Sequence, residues 1–259
     1  MAHLTWRNQN LATFWIAELA KRRHEVIPSS FRSKIAIILA MAIAIIAFVP
    51  LCLLTVSKEH APIDKSTHQA LRRGVFALSR MEGTPIVMLG DSLTEGAPWN
   101  ELTGCPRVAN RGINGDATMG VLGRLDDVFE VWPRAVFLMI GVNDLANGIP
   151  QAAVVENLRK ILDRLDKSGI PYFLNHIVPV TRTYKKAHLN GEIDTLNALT
   201  SDLVVGRPNA ATIDLRPLLR DGTNSLAEEY SYDGLHLSPK GYQVWRDAIA
   251  PIIARFCAQ

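Results

Sequence analysis

Hydrophobic and polar positions divide the chain into stretches of different texture. Residues Ile35 to Val56 read IAIILAMAIAIIAFVPLCLLTV, without a charge. At about 1.5 Å per residue a helix of that length rises roughly 33 Å, the thickness of a bilayer core. A run this long and apolar on every face fits lipid better than a soluble core, and Pro50 is tolerable near its end. Upstream, Leu11, Trp15 and Leu19 recur at helical spacing with Phe14 and Ile16 beside them. That is the pattern of a short amphipathic helix at a membrane surface, or of a plain juxtamembrane helix. Downstream, residues from about Ser57 to Gly83 form a polar connection with room for a helix from near Ser66 to near Met81.

From Thr84 onward short β-rich apolar runs alternate with longer helical patterns, which predicts a parallel sheet covered by helices on both faces. The expected strands are Pro85–Gly90, Arg107–Ala109, Ala135–Ile140, Tyr172–His176 and Ala211–Ile213. The expected helices are Met119–Phe129, Ala152–Lys167, Ile193–Val204 and Lys240–Phe256. Leu158, Ile161, Leu162 and Leu165 give the second helix an apolar stripe that reads as core packing. The predicted organisation is a cytoplasmic segment 1–34, a transmembrane signal anchor 35–56, a linker with a helix 57–83, and an α/β domain 84–259.

Charge sets the expected topology. Lys21, Arg22, Arg23, Arg32 and Lys34 precede the apolar run, whereas Lys58, Lys65, Arg72 and Arg73 follow it more thinly and beside Glu59 and Asp64. The positive-inside rule then leaves the N-terminus cytoplasmic and the domain extracytoplasmic, periplasmic in a bacterium. A cleavable signal peptide would have an apolar region of about 7–15 residues and a small-x-small cleavage site. This run is longer, and Cys52 lacks the small residue expected before a lipidated cysteine. With 259 residues, 48% of them hydrophobic, the chain holds one sizeable core and an appendage. A net charge of +3 is spread thinly, and the Lys21-Arg22-Arg23 cluster abuts the apolar run, so nucleic acid is not an expected partner. Cys52, Cys105 and Cys257 have neither zinc nor CxxC spacing. Cys105 and Cys257 pair only if their Cα atoms come within reach in an oxidising compartment; otherwise they are buried thiols.

Open parallel sheets place ligands at the carboxyl ends of their strands, and the polar blocks of this sequence fall there. GDSLT follows the first expected strand, NRGING the second and GVND the third, while YDGLH precedes the last helix. Serine attacks a carbonyl only with a base in reach and donors for the oxyanion. Ser92 stands at a strand-to-loop turn. His236 follows Asp233 by three residues, a spacing that lets the carboxylate hold one ring nitrogen while the other faces the nucleophile. The backbone N–H groups of Ser92 and Gly115 and the side-chain amide of Asn143 are candidate oxyanion donors. Taken singly, Gly-Asp-Ser is a common tripeptide, Asp-x-x-His fits an ordinary surface loop, Gly115 a turn and Asn143 a loop cap.

Together and in this chain order, the four blocks resemble those of the SGNH (GDSL-type) hydrolase family, from about Pro85 to the C-terminus. GDSLTEGAPW, NRGINGDATMGVLGRLD and VFLMIGVNDL are most similar to its platelet-activating-factor acetylhydrolase-like branch. The resemblance implies a flavodoxin-like three-layer sandwich with a five-stranded parallel sheet, preceded here by one transmembrane helix. It implies an esterase with Ser92, Asp233 and His236 as catalytic triad and with Ser92, Gly115 and Asn143 as oxyanion hole, using no metal or organic cofactor. By the family pattern Asp91 and Asp144 brace loops. Asn110, Arg111, Trp99 and His176 are further pocket candidates, although Trp99 also reads as a packed aromatic and His176 as a satisfied strand residue. The expected partner is a small-molecule, glycan or lipid ester with a short acyl group such as acetate. Acyl transfer, thioester hydrolysis on the cytoplasmic side, and a non-catalytic membrane-tethered binding module remain alternatives.

Overall fold

The computed structural model describes residues 64–79 and 85–258. The chain divides into two units, Met1–Pro62 and Ile63–Gln259, and every described residue belongs to the second. The expected membrane segment 35–56 and the pattern around Trp15 lie outside the described residues. Among the described residues no helix is long and apolar enough to cross a membrane.

Five strands form one parallel sheet: β1 Ile86–Gly90, β2 Val108–Gly112, β3 Ala135–Met139, β4 Tyr172–Asn175 and β5 Ala210–Ile213, in the order β2-β1-β3-β4-β5. Between and around them run α1 Lys65–Leu78, α2 Ser92–Glu95, α3 Trp99–Thr103, α4 Thr118–Gly123, α5 Leu125–Phe129, α6 Val142–Ala146, α7 Gln151–Ser168, α8 Leu189–Val204, α9 Arg216–Leu219 and α10 Pro239–Cys257.

β1 and β3 are buried along their whole length, which is why they read as unbroken apolar runs and not as alternating ones. Successive residues of a strand face opposite sides, and the two sides are separate cores. Val87, Leu89, Val136 and Leu138 pack with Leu158, Ile161, Leu162 and Leu165 of α7 and with Ile193 and Leu196 of α8. Ile86, Met88, Phe137 and Met139 pack with Trp99, Trp245, Ile249 and Ile253. The result is the expected three-layer α/β sandwich. The strand order reverses direction at β1 and β3, so the crevice beyond their carboxyl ends is where a doubly wound sheet holds a ligand.

Several elements differ from expectation. β2 continues past Ala109 through Asn110-Arg111-Gly112, so half of the NRGING block is strand. Polar residues are tolerated there because each is satisfied or covered. The Asn110 amide donates to the carbonyls of Thr94, Glu95 and Ala97 at 3.0, 3.0 and 2.9 Å, and the Arg111 guanidinium lies 4.7 Å from the Phe76 ring centroid. The helix expected over Met119–Phe129 breaks at Arg124, whose φ of −122° and ψ of 17° leave the helical region. The buried Arg124 side chain turns inward instead, donating to Asp116 Oδ2 at 2.8 Å and to the Gly90 carbonyl at 3.1 Å. α8 starts at Leu189, before the expected Ile193. α1 is capped by Asp64, which accepts the N–H groups of Ser66 and Thr67. It ends at Leu78, and the expected end near Met81 falls outside the described residues.

Cys105, after α3, and Cys257, at the end of α10, form a disulfide across 152 residues with Cα atoms 6.1 Å apart. Closing so long a loop restricts the unfolded chain strongly. Cys257→Ser should therefore lower unfolding stability by about 2–4 kcal/mol. Thermal unfolding with and without reductant checks this: reductant should destabilise the unsubstituted chain and leave the variant unchanged.

Candidate active site

Two glycines let the loop after β1 settle between its neighbours. A Cβ on Gly90 would stand 2.3 Å from the Met139 carbonyl oxygen, and one on Gly112 would stand 2.2 Å from the Glu95 backbone nitrogen. No side chain fits either gap. The loop enters α2 at Ser92, with Asp91 as N-cap accepting the Leu93 N–H at 3.0 Å. Its far side is fastened by donors to its carbonyls: the Tyr242 hydroxyl to Leu93 at 2.9 Å, the Trp99 indole to Thr94 at 2.7 Å, and the Asn110 amide.

The second loop, residues 231–238, is shaped by its own polar groups. Ser231 Oγ donates to the His236 carbonyl at 2.7 Å and accepts the Gly234 N–H at 2.9 Å. Gly234 has φ of 91° and a Cβ there would meet Tyr184 Cβ at 2.9 Å, so glycine alone fits the turn. Thr181 N–H donates to the Gly234 carbonyl at 2.8 Å and pins this loop to the segment after β4.

The loops meet at His236. Its Nε2 lies 3.0 Å from Ser92 Oγ, and its Nδ1 lies 2.6 Å from Asp233 Oδ2. Asp233 Oδ1 accepts the N–H groups of Leu235 and His236 at 2.9 and 2.7 Å. Partial burial alone would raise the Asp233 pKa; the hydrogen bond with the His236 ring and those two backbone donors outweigh it and hold the carboxyl below its ordinary range. An ionised Asp233 accepts a hydrogen bond from Nδ1–H, which leaves the Nε2 lone pair facing the serine hydroxyl. Asp91 is the opposite case. Desolvation pushes its carboxyl up to about 7, and its Oδ2 has no hydrogen-bond partner among the described residues.

Besides Ser92, the oxyanion-donor candidates lie on the segments after β2 and β3. Gly115 has φ of 71° in a turn closed by the Asp116 N–H on the Ile113 carbonyl at 3.0 Å, a position that favours glycine. The Asn143 amide donates to the Asp116 carbonyl at 2.8 Å, which keeps it beside that turn with one N–H to spare. The backbone N–H groups of Ser92 and Gly115 have no hydrogen-bond partner among the described residues. Asp144 braces from behind, accepting the Thr118 N–H at 2.9 Å and its hydroxyl at 2.6 Å.

The remaining sequence candidates are not free side chains in the crevice. Trp99 is fully buried in the core, Asn110 holds the Ser92 loop, and Arg111 lies under Phe76. His176 sits in a second serine–histidine–aspartate cluster, with Nε2 2.8 Å from Ser201 Oγ and Nδ1 3.4 Å from Asp214 Oδ2. Here the Ser201 hydroxyl donates to the Asn197 carbonyl at 2.9 Å and Arg216 approaches Nδ1 at 3.2 Å. The imidazole therefore donates from Nε2 and accepts at Nδ1, the wrong tautomer for activating the serine. Sequence reasoning missed Asp116, Arg124, Tyr242 and Glu95, which position the loops. A lone arginine in the apolar 119–129 pattern was the one available signal. Among the described residues no group of three or more His, Cys, Asp or Glu side chains is arranged to hold a metal ion.

Known proteins resemble this chain in sequence and fold. The model of the GDSL-like lipase/acylhydrolase family matches residues 88–244, more than half of the chain. Human platelet-activating factor acetylhydrolase IB subunit alpha1 is 26% identical over 203 residues, covering 73% of this chain and 84% of the relative. A solved structure described as a platelet activating factor from Streptococcus pneumonia superposes with a TM-score of 0.66 at 26% identity, over 83% of this chain and 99% of that one. A GDSL-like lipase from Bacteroides thetaiotaomicron shares the fold, with a TM-score of 0.63 at 21% identity over 72% and 97% of the two chains. With the family's matched span enclosing the loops after β1, β2 and β3, the chain belongs to the GDSL-like lipase/acylhydrolase family and is an ester-hydrolysing enzyme.

Proposed function

We propose that Ser92, His236 and Asp233 are the catalytic triad of a serine esterase that removes short acyl groups, acetate foremost, from a glycan or lipid alcohol. The observation that carries this is the unbroken chain from Asp233 through the His236 ring to Ser92 Oγ. His236 Nε2 takes the hydroxyl proton as Ser92 Oγ attacks the ester carbonyl, and Asp233 stabilises the imidazolium that forms. The N–H groups of Ser92 and Gly115 and the spare N–H of Asn143 receive the tetrahedral oxyanion. His236 then protonates the departing alcohol, leaving an acyl group on Ser92. Water attacks this ester with His236 again as base, releasing the acid and restoring the serine. The preference for acetate draws support from the acetylhydrolase name of the human relative.

In the same reading residues 35–56 anchor the enzyme in a membrane, residues 1–34 stay cytoplasmic, and residues 57–83 connect the anchor to a hydrolase domain, 84–259, on the extracytoplasmic side. The uncharged apolar run supports the anchor. The Cys105–Cys257 disulfide supports the topology, because such bonds persist mainly in oxidising compartments.

Hydrolysis of 4-nitrophenyl acetate, butyrate and octanoate by the full chain in detergent tests the chemistry. Ser92→Ala should lower kcat about 10⁴-fold or more, and Asn143→Ala about 10²–10³-fold. Activity should fall with acyl length, and full activity in Ser92→Ala would refute the mechanism. For topology, alkaline phosphatase fused after Gln259 should be active in intact cells, whereas an inactive fusion would place the domain in the cytoplasm.

A further inference from the structure

We propose that Lys65 of α1 is a specificity-determining residue of the Ser92 site, its ammonium group taking a phosphate or carboxylate carried on the alcohol side of the ester. The inference rests on the hydrolase reading above and adds the class of substrate. It starts from α1, which precedes the span matched by the family model.

α1 is fastened to the loops that make the site. Arg72 donates to the Gly112 carbonyl at 3.1 Å, and its Nε lies 3.3 Å from Glu95 Oε1. His68 Nε2 lies 3.1 Å from the same carboxylate oxygen. The other oxygen of Glu95 accepts the Asn114 N–H. Glu95, the last residue of α2, thus ties the helix that begins at Ser92 to α1 on one side and to the turn holding Gly115 on the other.

One turn back from His68, the Lys65 stem runs across Gly115. A Cβ built on that glycine would stand 3.3 Å from Lys65 Cε, 3.5 Å from Cδ and 3.8 Å from Cγ. Three consecutive methylenes therefore lie along the backbone whose N–H is an oxyanion donor in the proposed mechanism. A lysine stem packed this way keeps its ammonium at the edge of the surface that it covers.

That charge has no bonded partner. Among the described residues Lys65 makes no hydrogen bond or ion pair, while the neighbouring cations of α1 are engaged, His68 and Arg72 with Glu95 and Arg73 with Asp127. The acid nearest the turn, Asp116, is buried and bonded to Arg124, and it feels the Lys65 charge only through space. Tyr232, exposed beside Asp233, carries no charge and stacks on the His236 ring at 5.8 Å. A short acyl group has no room for a charge of its own, so an anion that meets Lys65 belongs to the alcohol.

The test compares the full chain in detergent on three phenyl acetates that differ only at the para position: carboxamide, carboxylate and phosphate. The quantity read is kcat/KM for each anionic ester divided by that for the neutral carboxamide. Lys65→Met keeps the stem and removes the charge. It should lower this ratio about 5- to 20-fold, mainly through KM, and Lys65→Arg should retain most of it. Sodium chloride at 0.5 M should reduce the ratio in the unsubstituted chain and not in Lys65→Met. An effect on one anion alone supports the proposal and names the group. A ratio unchanged by Lys65→Met overturns it, whether the variant loses activity on all three esters through packing or on none because the lysine is merely solvated. Absence of Ser92-dependent hydrolysis of every ester would instead fell the hydrolase reading, and this inference with it.

Discussion

The hydrogen bond between His236 and Ser92 joins loops that are 144 residues apart in the chain. A bond of this kind contributes only about 1 kcal/mol net, too little to hold two loops in register by itself. The surrounding framework must therefore place both ends before the bond forms. For Ser92 the framework is β1, buried on both faces, with glycines on it and on β2 that admit the loop. For His236 it is α10, capped by Ser238 and pinned through Trp245, which packs edge-on against Trp99 at 4.8 Å. Tyr242 of α10 reaches across to the Ser92 loop directly, so the helix that follows the histidine also holds the serine.

The same site contains four carboxylates in different states, and environment alone separates them. Asp144 spends its oxygens on Thr118, Asp116 is paired with the buried Arg124, and Asp91 is desolvated enough to hold a proton near neutrality. Asp233, partly exposed, is kept ionised by His236 and two backbone N–H groups. Only this last combination orients an imidazole toward a serine. The buried Arg124–Asp116 pair serves the site through geometry: Arg124 donates to the carbonyl of Gly90, and the Asp116 carbonyl holds Asn143.

Much of this was legible in the sequence because the relevant signals are local. Runs such as IVML and AVFLM, short and bounded by Gly or Pro, read as strands buried on both faces, and four polar blocks at loop positions mark one crevice. What stayed hidden depends on contacts between distant residues. The extension of β2 relies on carbonyls from another loop that accept the Asn110 amide, and nothing in the tripeptide Asn110-Arg111-Gly112 announces them. Helices of four or five residues, such as α2 and α6, carry too little periodicity to register. The break at Arg124 follows from an acid eight residues away and a carbonyl on β1. The cysteine pairing turns on a Cα separation that no spacing reveals, and α1 reads as a plain linker helix until Glu95 is seen between it and the Gly115 turn.

Covalent trapping tests the central claim most directly, since a fluorophosphonate reacts with a serine only when a base has activated it. Intact mass spectrometry should show a single adduct, and peptide mapping should place it on Ser92. Labelling should be lost in His236→Ala while the fold, followed by circular dichroism, persists. Modification at Ser201, or undiminished labelling of Ser92 without His236, would contradict the account.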